Sequence, residues 1–450
     1  LPAQWQVQLI FERIPTAMSR SVYLLLICLV ACHPAHKAVQ LTDMQKNHDP
    51  NTRSTPAQKD EDPLLTSLLS AHPEYFDSIL KDQNEYGVQI IYTEINRGKN
   101  NVASLTDHFF RTSDDYFYPA STVKFPVALL ALEKLNALSV PGLDRNTPMV
   151  TEKAYSGQSQ VYNDPTTVDG SPTIAQYIRK IFLVSDNDAF NRLYEFLGQQ
   201  YINERLHEMG FTDVQILHRL NIFLSEDENR HTNPVTFYDS TGKIIYSRPM
   251  EESKLVYAAR NDKKGKGYYS GDKLVNEPFD FSKKNRLSLK DLHSILKAVY
   301  FPSAVNKKQR FHLSDDDYAF VQRYMSMFPG ESVYPPFDTA EYNDSNVKFL
   351  LWGGKEKPPP QVRIFSKSGD AYGFLTDVAY VVDFENNIEF MLSATIHCNR
   401  DGIYNDDHYD YDDTGLPFMK HLGEVIYQYE LTRERKNKPD LSALKFDYRK

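Results

Sequence analysis

Strand-like apolar runs occupy two places far apart in this chain. YGVQIIYTEI (86–95) is followed by a turn at Asn96–Asn101, and FSKSGDAYGF (365–374), DVAYVVDF (377–384) and EFMLSATI (389–396) succeed one another near the other end. Runs this rich in β-branched and aromatic residues suit a pleated, half-buried surface, and such tight connections join antiparallel neighbours. Between them the apolar residues change to helical spacing. The pattern predicts helices over Ser121–Leu138, Thr173–Leu183, Ala189–Leu197, Ile202–Met209, Leu287–Tyr300 and Asp315–Met327, with Glu424–Arg433 as a closing helix. A helical block between strands from both chain ends implies an α+β fold. It is an antiparallel sheet carrying a helical subdomain, not a doubly wound parallel sheet.

The N-terminal region reads as an export signal. Met18-Ser19-Arg20 precedes SVYLLLICLVAC, which is too short to span a bilayer and suits a secretory apolar core. Its end, Leu29-Val30-Ala31-Cys32, resembles the lipobox of bacterial lipoproteins, in which the cysteine is lipidated. That resemblance implies a protein secreted across the inner membrane and lipid-anchored at Cys32 in the cell envelope, facing the periplasm or on the outer membrane. Residues 1–17 are read as upstream of the natural start. Residues 32–62 are polar and aperiodic, as a tether would be. A folded domain is expected over 63–435, with an insertion at about 235–285 and a polar tail over 436–450. Of three cysteines, only Cys398 would then remain free in the mature body, so no internal disulfide is expected.

Three short polar motifs occur in order: Ser121-Thr122-Val123-Lys124, Ser185-Asp186-Asn187 and Lys367-Ser368-Gly369. The first opens a helix, the second lies between two helices and the third lies on a strand. Positions i and i+3 share a helix face, so Lys124 can reach the Ser121 hydroxyl. A serine is a poor nucleophile until a base takes its proton, and lysine serves only when neutral. Burial and a second cation, Lys367, would depress the Lys124 pKa. Pro126 removes a backbone hydrogen bond so early in the helix that a distorted first turn is expected.

The order and contexts of these motifs resemble the penicillin-recognising serine hydrolases, the class A β-lactamases and low-molecular-weight penicillin-binding proteins. The likeness covers about 85–235 and 285–430. It implies Ser121 as nucleophile, Lys124 as base and Ser185 as proton relay. It also implies that Asn187, Lys367, Ser368, Gly369 and Asp370 bind substrate, with the N–H groups of Ser121 and Asp370 as oxyanion hole. The implied reaction opens a β-lactam amide through an acyl-Ser121 intermediate. A D-alanyl peptide or ester substrate, or a non-catalytic envelope-binding lipoprotein, are the alternatives.

The sequence also departs from that family. Its deacylating glutamate belongs on the loop FTDVQILHRLNIFLSEDENRHTNP (211–234), where alignment puts Asn221 or Leu217 instead, and Glu226 and Glu228 fall in a charged turn. No arginine follows Lys367-Ser368-Gly369 to hold a substrate carboxylate, leaving Arg400 as a substitute. The acidic run NDDHYDYDD (405–413) lacks calcium-loop spacing and reads as solvated. No zinc or phosphate-binding motif occurs, so no metal or cofactor is expected. A net charge of −9 without a basic block argues against nucleic acid. The expected form is a monomer whose partners are a small-molecule or peptide substrate and the membrane.

Overall fold

The computed structural model describes residues 60–82 and 84–448; the signal, Cys32 and nearly all of the tether lie outside them. Six strands form one sheet in the order β1-β3-β2-β6-β5-β4. They are β1 (Asp60–Glu61), β2 (Gln89–Arg97), β3 (Ala103–Thr112), β4 (Val362–Ala371), β5 (Phe374–Asp383) and β6 (Ile388–His397). Every neighbouring pair is antiparallel, and β2 lies beside β6, which joins the two chain ends. The expected α+β sheet is therefore present.

Helices cover both faces of this sheet, which is why its central strands read as nearly unbroken apolar runs. Ile90, Tyr92, Ala379 and Val381 point to one core, shared with α1 (Pro63–Ser70), α2 (Pro73–Lys81) and the C-terminal helix. Their strand neighbours Ile91, Val378 and Tyr380 point to the other. That second core belongs to α3 (Lys124–Leu138), α4 (Ile174–Val184), α5 (Asn187–Leu197), α6 (Gln199–Glu208), α7 (Leu289–Tyr300) and α8 (Asp315–Ser326). The period-two alternation of side chains assigns each residue its core.

Several local expectations change. Folded structure begins before 63, because Asp60 and Glu61 pair with β3 and Asp62 caps α1 through Leu64 N–H at 2.8 Å. The basic stretch 262–273, which reads as loop, contains Lys263–Lys264 and Gly267–Ser270 as short strands. Gly267–Ser270 pairs in parallel with Ile403–Tyr404, and Tyr268, Phe279, Phe281 and Tyr404 pack ring against ring. Aromatic packing from distant segments thus overrides weak local propensity. The hairpin that FYDSTGKIIYSRP (237–249) predicts from its Ser-Thr-Gly turn is present as Val235–Tyr238 and Ile244–Arg248, with Asp239 Oδ1 accepting N–H bonds from Thr241 and Lys243. Residues 436–448 pack on the body: Leu441 is buried, and the Tyr448 hydroxyl meets that of Ser326 at 2.8 Å.

The closing helix α9 runs over Leu416–Thr432, starting earlier than its apolar pattern suggests. Pro417 sits in its first turn, where a missing N–H costs nothing. Gly423 lies mid-helix, where alanine ordinarily stabilises by about 1 kcal/mol. Here an added Cβ would stand 2.4 Å from Leu351 N and 2.9 Å from its Cα, backbone that cannot swing aside. Gly423→Ala is expected to lower stability by about 1–3 kcal/mol in urea unfolding; a gain would contradict this close approach.

Candidate active site

The first motif enters α3 through a 3-10 turn, Ala120–Val123. Pro126 has no N–H to offer the Thr122 carbonyl, and the tighter turn absorbs that loss. Side chains at i and i+3 eclipse in such a turn, so Ser121 and Lys124 stand one above the other. Among the described residues no hydrogen bond ties the Ser121 hydroxyl, which faces an open cleft of about 520 Å³. Lys124 beneath it is fully buried.

The second motif takes its shape from two helix ends. Ser185 terminates α4 in the left-handed region, at φ 58°, a conformation costly for serine and common for a residue that stops a helix. The chain reverses there, and Asp186 caps α5 by accepting Ala189 N–H at 2.7 Å. Asn187 then opens α5 facing Lys124.

The third motif arrives on β4. Lys367 Nζ donates to Ser185 Oγ at 2.9 Å and to the Ser368 carbonyl at 2.6 Å. Gly369 passes directly over the 3-10 turn. A Cβ there would lie 2.6 Å from Ser121 N, 2.8 Å from Thr122 N and 3.1 Å from the Pro119 carbonyl, so only glycine fits. Asp370 follows, open at the cleft mouth. The Ser368 hydroxyl also borders the cleft, but its proton is committed to the Val347 carbonyl at 2.8 Å.

Lys124 is held differently from the sequence expectation. Its Nζ donates to Asn187 Oδ1 at 2.7 Å, to Ser185 Oγ at 3.2 Å and to the Ser185 carbonyl, not to Ser121. Those acceptors match the three protons of an ammonium. Burial pushes the Lys124 pKa well below its ordinary value, and the Lys367 charge pushes further, against Asp186 and Asp370. Burial likewise brings Lys367 down to about 7, against the pull of Asp377 and Asp370 and with a further push from Lys348. Lys367 can therefore change charge near neutrality, and Lys124 gives up its proton far more readily than a free lysine.

The remaining candidates lie apart from Ser121. Glu226 pairs with Lys283 at 3.2 Å, while Glu228 closes a capping box with Ser225 and accepts from Ser156. Neither glutamate lines the cleft, nor do Asn221 or Leu217. Arg400 is spent on Asp410, donating to it from Nε and Nη2. Among the described residues the cleft wall carries two carboxylates, Asp370 and Asp412, the latter paired with Lys355 at 2.7 Å, and no cationic side chain. A second cavity of about 460 Å³ lies between loop 217–230 and residues 256–260 and contains none of the three motifs.

Two buried ionic groups escape the motif reading. Lys348 and Asp377 are both fully buried next to the third motif. The available signal was a lone charge inside an apolar run, as in Val347-Lys348-Phe349-Leu350 and Thr376-Asp377-Val378-Ala379.

Comparison with known proteins bears on this arrangement. The model of the beta-lactamase enzyme family matches residues 74–429. The chain is similar to a class A beta-lactamase from Clostridium kluyveri, at 16% identity over 79% of this chain and 98% of that one, with a TM-score of 0.44. It is similar to a beta-lactamase from Xanthomonas campestris pv. campestris, at 13% identity over 81% and 97%, with a TM-score of 0.44. It is also similar to PBP-A, at 16% identity over 83% and 98%, with a TM-score of 0.43. A search of curated proteins gives no match. The family match runs through most of the chain and takes in every residue of the Ser121 cleft, so this protein belongs to the beta-lactamase enzyme family and is a serine hydrolase of that type.

Proposed function

We propose that the protein opens a β-lactam amide by acyl transfer to Ser121 and releases the product slowly. One observation carries this reading: Lys124 and Lys367, from a helix and a strand, both donate to Ser185 Oγ beside the Ser121 turn. Ser121 Oγ attacks the carbonyl carbon while its proton passes to neutral Lys124 Nζ. The N–H groups of Ser121 and Asp370 hold the oxyanion, helped by the positive end of α3. The C–N bond breaks as the nitrogen takes a proton through Ser185 Oγ, and Lys367 keeps that hydroxyl oriented. Water then adds to the acyl carbon and returns the proton to Ser121 Oγ.

Slow release follows from the position of Glu226 and Glu228, which are engaged elsewhere and leave the cleft without a loop carboxylate. In a second reading, a D-alanyl peptide or an ester replaces the β-lactam; the acidic cleft wall favours the ester, because like charge works against the carboxylate that a β-lactam and a D-alanyl terminus both carry. In both readings the protein works as a monomer in the cell envelope, on a lipid anchor at Cys32.

Intact-mass measurement after exposure to a penicillin tests the scheme. A single adduct is expected that persists over many minutes, and Ser121→Ala should remove it. Labelling that survives this change would assign the nucleophile elsewhere. Gly369→Ala should slow adduct formation on the order of 100-fold by lifting β4 off the Ser121 turn. Unchanged labelling kinetics would show that this contact is dispensable.

A further inference from the structure

The second cavity, of about 460 Å³, is of the size that small-molecule sites have and plays no part in the Ser121 scheme. One wall is the loop after α6, residues 217–230. The facing wall comes from the insertion, which supplies 256–260 and 282–284. Hydrogen bonds hold the two walls and α6 in one frame. Tyr257 Oη donates to Gln199 Oε1 at 3.0 Å, Gln215 Nε2 to the Ala258 carbonyl at 3.1 Å, and Arg230 Nη1 to the Leu255 carbonyl at 2.9 Å.

The lining combines two chemistries. Ile222, Phe223 and Val256 line the cavity and are exposed, a grouping of large apolar side chains that solvent alone does not favour. Its charged side chains are mostly cations, in a chain of net charge −9: Arg230, Arg260, Lys283 and Lys284 against Glu226. Arg260 is matched to Asp262 at 3.0 Å and Lys283 to Glu226 at 3.2 Å. Among the described residues no carboxylate pairs with Arg230 or Lys284. Lys284 Nζ lies 5.7 Å from the Tyr372 ring centre, a weak hold. Arg230 spends only Nη1, on the Ser253 and Leu255 carbonyls, and its guanidinium lies over the Tyr257 ring at 5.5 Å. Its Nε–Nη2 edge is left over, and such an edge grips a carboxylate through two parallel bonds.

We infer that this cavity binds a small carboxylate carrying an apolar chain or ring. The carboxylate meets Arg230, with Lys284 adding charge, and the apolar part covers Ile222, Phe223 and Val256. A neutral ligand would leave the free arginine edge unused, and a bare inorganic anion would leave the three apolar side chains wet. The site is separate from the Ser121 cleft and stands whether or not the acylation scheme does.

Isothermal titration calorimetry of the full-length protein with decanoate and with 2-naphthoate tests this and separates an acyl-chain source from an aromatic one. At least one acid should bind saturably, one per chain. Arg230→Gln should weaken that binding about tenfold, as should Val256→Asp, which sets a like charge on the apolar lining. The matching neutral alcohol, 1-decanol or 2-naphthol, should also bind about tenfold more weakly than its acid. No saturable binding of either acid overturns the assignment. So does binding that either variant leaves unchanged, or that the neutral alcohol equals. If Arg230→Gln does not fold, Val256→Asp, at an exposed position, and the alcohol decide the matter.

Discussion

The site depends on one close contact, the passage of β4 across the 3-10 turn that opens α3. No side chain fits between them at Gly369, so sheet and helical subdomain meet backbone to backbone. The contact fixes Ser121 against the strand and lets Lys367 reach Ser185 on the far side. Three segments far apart in sequence are thereby locked to one another within hydrogen-bond tolerances. Their positions follow from packing on both sides of the sheet, since β4 is paired to β5 along its whole length and α3 is buried nearly all round.

Three lysines are buried around that contact, and each ionised group taken from water costs several kcal/mol before compensation. Among the described residues, Lys124, Lys367 and Lys348 close no ion pair with a carboxylate. Each instead donates to a main-chain carbonyl: Ser185, Ser368 and Met325 respectively. A carbonyl solvates an ammonium without adding a full negative charge, so it compensates burial only in part. The result is a set of cations held in place yet easily deprotonated, which is what a lysine base requires. A carboxylate touching Lys124 would anchor it as firmly and, in the proposed scheme, remove its ability to accept a proton from Ser121.

The parts legible in the sequence were those where local pattern and tertiary environment agree. Strands such as 377–384 are apolar because both faces are covered, and their position at the two chain ends was enough to give the sheet. The three motifs were legible because their spacing coincides with helix starts, helix ends and a strand. The strands within 263–275 were not, since lysine, glycine and serine there carry little strand preference and pair only because Tyr404 and Phe281 arrive from elsewhere. The direction of Lys124 was hidden for a related reason: helix geometry brings it near Ser121, but the acceptors that claim its protons stand on the α4–α5 turn. Asp377 and Lys348 were visible as oddities of composition, and only the fold supplies their main-chain partners, the Phe349 and Leu350 N–H groups and the Met325 carbonyl.

The same principle bears on the loop that follows α6. Arg219 is buried and donates from Nε to Glu195 at 2.8 Å and from Nη2 to the His231 carbonyl and Asn233 Oδ1. Leu217 N–H and His218 N–H both donate to Asn285 Oδ1, and the Leu220 N–H donates to Asn191. The loop is therefore held by its middle, with Arg219 and Leu220 turned inward. What it turns outward is Ile222, Phe223 and the acidic helical turn Glu226–Arg230. Shifting residues 217–220 to bring Glu226 or Glu228 elsewhere would break several buried hydrogen bonds at once. Each lost partner would cost about 1–3 kcal/mol. The slow release proposed for this site thus arises from how the loop is packed as much as from which residues it contains.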